Sequence, residues 1–367
     1  MKNLQHIVFL DYFEELDDPR QSAKVLYPLD EILLLSLCAT IAGAEDFTDI
    51  VEYGEEKLGF LRTLLPFARG IPSHDALNDL FRDIDPAAFS KAFTEWASSL
   101  SAHIPGLVSI DGKTLRGSRD GVKGPLHLVS AWAGEQRRVL GQVATGEKSN
   151  EITAIPELLD LLMLKGSIVT IDAMGCQKAI ADKIRERGAE YVLALKGNHG
   201  DLHDDVKTFF ESADGAALSV HETTDADHGR IEIRRYSMSA DIDWLIGRNP
   251  GWRDLRSIGM VESRVEKKGI ATRQVRFYLC SLAAGLPAFA AAVRGHWGIE
   301  NSLHWVLDVT FREDLCRIRK DHAPQNFAVI KRAAVNMINK TKGKKSIKTS
   351  RKRAGWNDKA LLSIIAS

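Results

Sequence analysis

The sequence predicts an α/β fold with an all-helical N-terminal domain and a β-rich insertion. Three features of the chain lead to this prediction. Residues 1–100 carry apolar side chains at helical spacing. After residue 105, short β-rich runs alternate with helical stretches, as in a mixed sheet covered by helices. Residues 218–283 then interrupt the alternation with further strand-like runs.

Composition places the chain among ordinary soluble, globular proteins. Its 367 residues are 44% hydrophobic and 27% charged, and this length suggests two or three structural units. The first 20 residues lack the long apolar stretch of a secretory signal peptide. The longest nearly uncharged apolar run, Ile32 to Ala44, has 13 residues, too few to cross a bilayer. The sequence therefore predicts a cytoplasmic protein without a membrane partner.

Residue spacing argues against two common kinds of site. The four cysteines are scattered and show neither CxxC nor Cys/His ligand spacing, so neither a structural zinc site nor a disulfide framework is predicted. The sequence also has no GxxxxGK[ST] loop, so no nucleotide cofactor is implied.

The N-terminal domain, residues 1–103, is predicted to consist of helices. Asp30–Ala44 is apolar, and Phe47–Leu65 mixes apolar and acidic residues at helical spacing. Ser73 is a good N-cap for a short helix over 74–83, and another helix is expected over Pro86–Leu100. Two interpretations stay open for this helix pair. It suits a DNA-contacting helix-turn-helix, whereas its acidic surroundings suit plain packing.

The first part of the core, residues 104–217, begins with three short strands. Gly106–Ile110, His127–Ala133 and Val139–Thr145 are predicted to form an antiparallel meander. Alternating helices and strands follow, at Glu151–Leu164, Ser167–Ile171, Cys176–Arg187, Tyr191–Leu195 and Leu202–Ser212. Three meandering strands followed by this alternation give the element order of a ribonuclease H-like catalytic core.

The remaining chain divides into three predicted parts. The β-rich insertion, residues 218–283, contains strand-like runs at Arg230–Met238, Ser257–Val265 and Gln274–Ser281. Helical character returns from Pro287 to about Leu307, within a second part of the core over residues 284–339. Residues 340–367 are predicted to form a basic C-terminal tail.

Charge is distributed unevenly along the chain. Its 49 basic and 49 acidic side chains cancel, but residues 1–100 have a balance of −10 and residues 281–367 a balance of +10. Lys340 to Arg353 contains 8 basic residues and no acidic one. Such a basic end suits contact with phosphates, and a solvated charged surface is the alternative interpretation.

Three carboxylates are candidates for a metal site. Asp111 directly follows a predicted strand, Asp172 ends another, and Glu300 lies on the helix after the insertion. Rigid strand ends are where metal ligands are best held, and hard divalent ions such as Mg²⁺ take oxygen ligands. Two such ions can activate a nucleophile and stabilise the leaving oxygen in phosphodiester cleavage.

The sequences around these carboxylates resemble a known family. They read SIDGKTLRG at Ser109–Gly117, TIDAMGCQ at Thr170–Gln177 and RGHWGIEN at Arg294–Asn301. Further matching strings are KSNEITAIP at Lys148–Pro156, LKGNH at Leu195–His199, DHGRIE at Asp227–Glu232 and SIKTSRKR at Ser346–Arg353. Together they resemble the catalytic boxes of DDE-type insertion-sequence transposases of the ISAs type, which include the H-repeat-associated proteins. The resemblance covers nearly the whole chain.

The resemblance implies a DNA transposase with Asp111, Asp172 and Glu300 as its catalytic, metal-binding residues. It further implies Mg²⁺ or Mn²⁺ as the cofactor, cleavage and strand transfer as the reactions, terminal inverted repeats and target DNA as the partners, and a homodimer on DNA. The 128 positions from Asp172 to Glu300 leave room for the insertion. Related hairpin-forming transposases carry Tyr, Arg and Lys around the glutamate, where this sequence has Val293, His296 and Leu307. A hairpin pathway is therefore not predicted.

Basic and polar residues near the boxes are candidates for DNA contact. They are Lys113, Arg116, Lys196, Asn198, His199, His296, Asn301, Lys348, Arg351, Lys352 and Arg353. Solvated turns are the alternative for most of them. Trp297, His304 and Trp305 are predicted to pack in the core, because aromatic residues at this spacing repeat on one helix face.

Two other functions fit the same residues. A nuclease of the same fold would share all three carboxylates and cut without strand transfer. An inactive, DNA-binding remnant of a transposase is the alternative from another functional class.

Overall fold

The computed structural model describes residues 6–100, 106–121, 123–146, 151–212, 218–227, 230–267, 269–283 and 285–367. Within this part of the chain, none of the helices combines the length and apolar character needed to cross a membrane. Residues 148–150 of the KSNEITAIP string, and residues 228 and 229 of DHGRIE, lie outside the described residues. The predicted domain boundaries near residues 103 and 217 lie outside them as well.

Helices and strands together confirm the predicted α/β class. The α-helices are α1 Val8–Asp11, α2 Leu29–Ala42, α3 Phe47–Leu61, α4 His74–Asp83, α5 Pro86–Ser99, α6 Glu151–Leu161, α7 Lys178–Glu186, α8 Asp201–Ser212, α9 Asp243–Arg248, α10 Leu286–His296, α11 Trp305–Val309, α12 Ala323–Thr341, α13 Ile347–Trp356 and α14 Asp358–Ile365. The strands are β1 Leu107–Thr114, β2 His127–Ala133, β3 Arg138–Ala144, β4 Ile168–Ile171, β5 Glu190–Leu195, β6 Ser219–Asp227, β7 Arg230–Ser239, β8 Ser257–Lys267 and β9 Ile270–Cys280.

These elements form two units. The helical unit comprises Met1–His103, Gly112–Asn150 and Glu300–Ser367, and the sheet unit comprises Ile104–Asp111 and Glu151–Ile299. The chain therefore passes from the sheet unit to the helical unit directly after Asp111, and again directly before Glu300. Strand β1 begins in the sheet unit and ends in the helical unit.

The helical unit is built around two buried helices, α2 and α12. Almost every residue of α2 from Glu31 to Ile41 is buried, as its continuous apolar run predicts. In α12, the buried Asn326 donates hydrogen bonds to the carbonyls of Phe81 and Ile84 at 2.8 and 3.0 Å. These bonds satisfy carbonyls at the end of α4, where the helix leaves them without intrahelical partners. The hairpin of β2 and β3 belongs to this unit.

Capping residues explain where several helices of this unit begin. Ser73 accepts a hydrogen bond from the backbone of Ala76 at 3.2 Å, which confirms the predicted start of α4. Asp85 caps α5 with Pro86 in its first turn. Ser346 caps α13, and buried residues line both α13 and α14. The segment predicted as a basic tail, residues 340–367, thus contains packed helices, and its contact with phosphates stays a prediction.

Among the described residues, the strands of the sheet unit follow the order β1-β4-β5-β9-β8-β7-β6. Strands β1, β4 and β5 are parallel, and β9, β8, β7 and β6 continue the sheet as antiparallel neighbours. Helix α10 packs on this sheet through Phe289, which lies against Gly259 and Tyr278. A side chain at position 259 would meet the Phe289 ring at 2.3 Å, so the close contact requires glycine.

The insertion differs from its prediction in two elements. Its strands β7, β8 and β9 confirm the three strand-like runs, but β6 and the short helix α9 were not predicted. The strand β6, SVHETTDAD, lacks the apolar alternation that marks a half-buried strand, which explains the omission. The helix expected from Pro287 to Leu307 is divided into α10, a π-helical segment and α11.

Candidate active site

Asp111 and Asp172 lie at the carboxyl ends of neighbouring parallel strands. Ser109 of β1 pairs with Thr170 of β4, and Ile110 pairs with Ile171, so each aspartate directly follows a paired residue. Both side chains are half-buried. Parallel strands end at the same edge of a sheet, where ligands of open α/β sheets bind. The backbone of the sheet unit thus places two acidic groups at one edge.

The turn after Asp172 is held by backbone contacts. The carboxylate of Asp172 accepts a hydrogen bond from the backbone N–H of Met174 at 2.9 Å. Gly175 lies so close to the core that an added Cβ would approach Ile171 at 2.3 Å and Ile155 at 2.9 Å. The hydrogen bond therefore connects the Asp172 side chain to its own turn. Close packing at Gly175 holds this turn against Ile171 of β4.

The LKGNH segment after β5 contacts this turn. Asn198 donates a hydrogen bond to the carbonyl of Ala173 at 3.3 Å. His199 is hydrogen-bonded to the backbone of Cys176, its ring lies 6.0 Å from that of Trp252, and burial lowers its pKa. Lys196 is exposed. Of the three DNA-contact candidates in this segment, Asn198 and His199 therefore support the Asp172 turn, while Lys196 and Asn198 are exposed.

His296, predicted to contact DNA, lies at the end of α10 over the same strands. It is hydrogen-bonded to Thr170 at 3.0 Å, and Thr170 in turn donates to Ser109 at 3.3 Å. Thr170 precedes Asp172 by two residues, as Ser109 precedes Asp111. Its neighbour Trp297 is 43% exposed and stacks under the guanidinium of Arg276 at 4.4 Å, so the predicted core position of Trp297 is wrong.

Glu300 opens the π-helical segment Glu300–His304 of the helical unit. Its side chain is 58% exposed and accepts a hydrogen bond from Nδ1 of His304 at 3.0 Å. Burial lowers the pKa of His304, although the bond to Glu300 opposes this effect. Both side chains are able to ligate a metal ion, and π-helical turns are frequent at functional sites. His304 is buried as predicted, whereas Trp305 is 57% exposed and was wrongly predicted to pack in the core.

Lys113 differs most from its prediction. Its side chain is 7% exposed, and its ammonium lies 2.7 Å from Asp308 and 2.9 Å from Asp314. Although burial alone lowers the pKa of Lys113, the carboxylates of Glu313, Asp308 and Asp314 raise it. Such an ammonium cannot contact a phosphate without losing these partners. The predicted DNA contact of Lys113 is therefore corrected to a buried ion pair.

Arg351 is the second corrected DNA contact. It is 5% exposed, donates to the carbonyls of Thr40 and Ala44, and lies 4.1 Å from the ring of Phe311. Burial lowers the pKa of Arg351 to about 10. The other candidates from this helix, Lys348, Lys352 and Arg353, are exposed, as are Arg116 and Asn301.

Comparison with known proteins identifies the family. The model described as "Transposase DDE domain" matches residues 103–337, and the model described as "DDE_Tnp_1-associated" matches residues 10–97. The first match spans more than half of the chain and includes all three candidate acids. This chain belongs to the DDE transposase family. The transposase therefore acts on DNA in transposition, and its family uses divalent metal ions.

Several relatives match the transposase over most of its length. YncI from Escherichia coli O157:H7 is 40% identical over 98% of this chain and 94% of its own. YhhI from Escherichia coli strain K12 is 38% identical over 97% of each chain. Both names contain the word transposase, and that of YhhI adds an association with the H repeat. A protein of the dhlA 3′ region of Xanthobacter autotrophicus is 44% identical over 74% of this chain and 94% of its own.

Proposed function

We propose that Asp111, Asp172 and Glu300 hold Mg²⁺ or Mn²⁺ and that the transposase cleaves and joins DNA strands at the ends of its element. The observation that carries this proposal is the pair of aspartates at the ends of neighbouring parallel strands. Oxygen ligands on rigid strands are what a hard divalent ion requires. The exposed Glu300, with its hydrogen bond to the buried His304, supplies a third oriented carboxylate.

Helix α10 is fixed on the strands that carry the two aspartates. Gly295 lies against Leu107, where an added Cβ would be 2.2 Å from that side chain. The next residue, His296, is bonded to Thr170, further along the strands in the direction of the aspartates. Two more strand residues lead from Ser109 and Thr170 to Asp111 and Asp172.

A ribonuclease H-like arrangement of the catalytic core is part of the proposal. The supporting features are the three consecutive strands β1, β2 and β3, the following α6-β4-α7-β5 alternation, and the parallel pairing of β1 with β4 and of β4 with β5. Residues 218–283 are then an insertion between the second aspartate and the glutamate, and α1–α5, which pack with α12 in the helical unit, are suited to recognising the element ends.

The residues of the site have distinct tasks in the proposed reaction. The three carboxylates bind divalent ions, which when bound activate a water or 3′-hydroxyl and stabilise the leaving oxygen. His296 and Thr170 keep α10 in register with the strands that carry the aspartates. Arg116, Lys196, His296 and Asn301 contact phosphates near the scissile bond. Asn198 and His199 support the Asp172 turn, and a DNA contact of these two side chains stays a prediction.

Exposed cations of α13 extend the DNA contact away from the site. Lys348, Lys352 and Arg353 neutralise phosphates without reading bases, so their contribution falls with added salt. The Lys352→Ala variant is expected to bind element-end DNA more weakly and to lower the slope of log affinity against log salt by about 1. Lys207→Ala removes an exposed lysine from α8, outside the surfaces proposed to contact DNA, and should leave affinity and slope unchanged. Equal effects of the two variants would remove α13 from the DNA surface.

Strand cleavage on a labelled fragment that carries the element's own terminal inverted repeat tests the proposed reaction. Nicking at the end in Mg²⁺, its loss in EDTA, and a joined product with target DNA are expected. Cleavage without any joined product would favour the nuclease alternative. Binding without cleavage in both Mg²⁺ and Mn²⁺ would make the chain a DNA-binding remnant. Sedimentation of the complex with DNA would show whether two chains hold two ends, as proposed.

A further inference from the structure

The buried side chain of Lys113 lies among one buried and two half-buried carboxylates of the helical unit. Its ammonium lies 2.7 Å from Asp308, 2.9 Å from Asp314 and 3.8 Å from Glu313. Glu313 is itself fully buried and paired with the fully buried Arg332 of α12. A lysine in such a place loses most of its hydration, and close carboxylates must offset that cost. A positive charge is therefore stable at this position because several carboxylates surround it.

These contacts join two segments that are about 200 positions apart in the chain. Lys113 follows Asp111 by two residues in the same strand, so the two side chains lie on one face of β1. Asp308 belongs to α11, which continues the helical segment that begins at Glu300. The ion pair between Lys113 and Asp308 thus connects the strand of the first catalytic aspartate to the helix of the catalytic glutamate.

Neighbouring backbone contacts make the connection rigid. Gly117 lies against the carbonyl of Cys316, where an added Cβ would be 2.2 Å from the oxygen. Arg319 donates to the carbonyl of Gly117 at 3.0 Å, and the backbone N–H of Arg116 lies 3.4 Å from Asp314. The segment that follows Asp111 therefore contacts the segment that follows Glu300 at several successive residues. Lys113 is the first of these residues.

We propose that Lys113 is a positioning residue of the transposase, which holds the segment that follows Asp111 against the helix that follows Glu300 without touching DNA. This inference rests on the proposed function, in which these two carboxylates act together. It predicts that Lys113 affects the rate of the chemical step and the Mg²⁺ requirement, while DNA affinity stays the same. A displacement of about 1 Å in a catalytic group can lower a rate by about a hundredfold.

The test compares four variants of the full-length chain by single-turnover cleavage, Mg²⁺ titration, DNA affinity and melting temperature. Lys113→Met is expected to lower the cleavage rate by about ten- to a hundredfold and to raise the Mg²⁺ concentration for half-maximal rate. Lys113→Arg, which keeps the charge, should recover much of the rate. The double variant Lys113→Met with Asp308→Asn removes both charges, so it should regain melting temperature but not rate.

The fourth variant, Asn326→Ala, provides the matched control. It removes another buried polar contact of the helical unit and should lower the melting temperature while its folded fraction cleaves at the wild-type rate. If Lys113→Met behaves like Asn326→Ala, or if the double variant regains rate together with stability, the positioning role is overturned. A wild-type chain that cleaves nothing would instead overturn the proposed function, and the role of Lys113 with it.

Discussion

The chain is held in two different ways after its two aspartates. After Asp111, the buried side chain of Lys113 lies between the carboxylates of Asp308 and Asp314. After Asp172 it turns through Met174 and Gly175, and the contacts that hold this turn are backbone hydrogen bonds and close packing. Both arrangements fix a carboxylate at a strand end. One depends on charge pairs that are distant in sequence, and the other on hydrogen bonds to the backbone of the turn and on close packing.

This difference explains why the sequence suggested a phosphate contact for Lys113 and gave no role to Gly175. A lysine two residues after an acidic candidate suggests a phosphate contact, because burial and the distant partners Asp308 and Asp314 are invisible in the local sequence. The glycine at position 175 carries no signal of its own until the side chains of Ile155 and Ile171 are placed against it. In both cases the three-dimensional neighbours decide the role of the residue.

The largest expected effect comes from either aspartate itself. Asp172→Asn keeps the size of the side chain and removes its charge, so it should lower the cleavage rate by about a thousandfold or more while DNA binding remains. Gel-shift and single-turnover cleavage assays measure the two quantities separately. The control Asp160→Asn changes an acid of the same unit that pairs with Lys183 on the surface. An active Asp172→Asn variant would remove this residue from the site.

Glu313→Gln tests the charged arrangement through stability. Removing one member of a buried ion pair leaves Arg332 without compensation, so the free energy of unfolding should fall by about 3–5 kcal/mol at pH 7. Although burial raises the pKa of Glu313, the cations of Arg332, Lys331 and Lys113 lower it below its usual 4.5. A carboxyl with a depressed folded-state pKa stabilises the fold above pH 4.5, and this contribution is lost as the pH falls through the folded-state pKa.

Denaturant unfolding of wild type and Glu313→Gln at pH 7 and at pH 3.5 checks this sign. The difference in unfolding free energy between the two proteins should have its full value at pH 7 and be smaller at pH 3.5. A difference that grows on acidification would contradict the assigned charge state of Glu313.

Gly175→Ala tests the turn after Asp172. The added methyl group would overlap the side chains of Ile171 and Ile155, so a loss of about 1–3 kcal/mol in stability and a lower cleavage rate are expected. Gly247→Ala offers the matched change in α9, because a Cβ at that position meets nothing within 4 Å. Indistinguishable melting temperatures and rates for the two variants would show that the turn adapts to a side chain.

The smallest expected effect is that of Asn198→Ala. It removes a single hydrogen bond to the Ala173 carbonyl, which is worth about 1 kcal/mol. A modest fall in cleavage rate with unchanged DNA affinity is expected, since Asn198 supports the turn. A fall in affinity with an unchanged rate would instead restore the DNA contact predicted for Asn198 from the sequence.

The sequence predicts the positions of the helices and strands better than it predicts which side chains are buried or exposed. The period of apolar residues and the cap at Ser73 locate α2, α4 and α5, and apolar strands locate β2, β4 and β5. These signals are local, so one sequence contains them. The exposure of Trp305 and the burial of Arg351 depend on which elements pack nearby, and spacing along a helix does not contain that information.

The break of the predicted helix at Glu300 was hidden for a related reason. The stretch from Gly298 to His304 contains no proline that would mark the end of a helix. The π-helical turn changes the direction in which Glu300 and His304 point, and the sequence around them gives no sign of this change.

Metal rescue of Asp172→Cys tests the central claim most directly, because it asks whether this side chain binds the metal ion. A thiolate is a poor ligand for Mg²⁺ and a good one for softer ions. We expect Asp172→Cys to be inactive with Mg²⁺ and to regain cleavage of the element end when Mn²⁺ or Cd²⁺ is added, while wild type works with Mg²⁺. Wild-type activity of the variant in Mg²⁺, or no recovery with either softer ion, would contradict the assignment of Asp172 as a metal ligand.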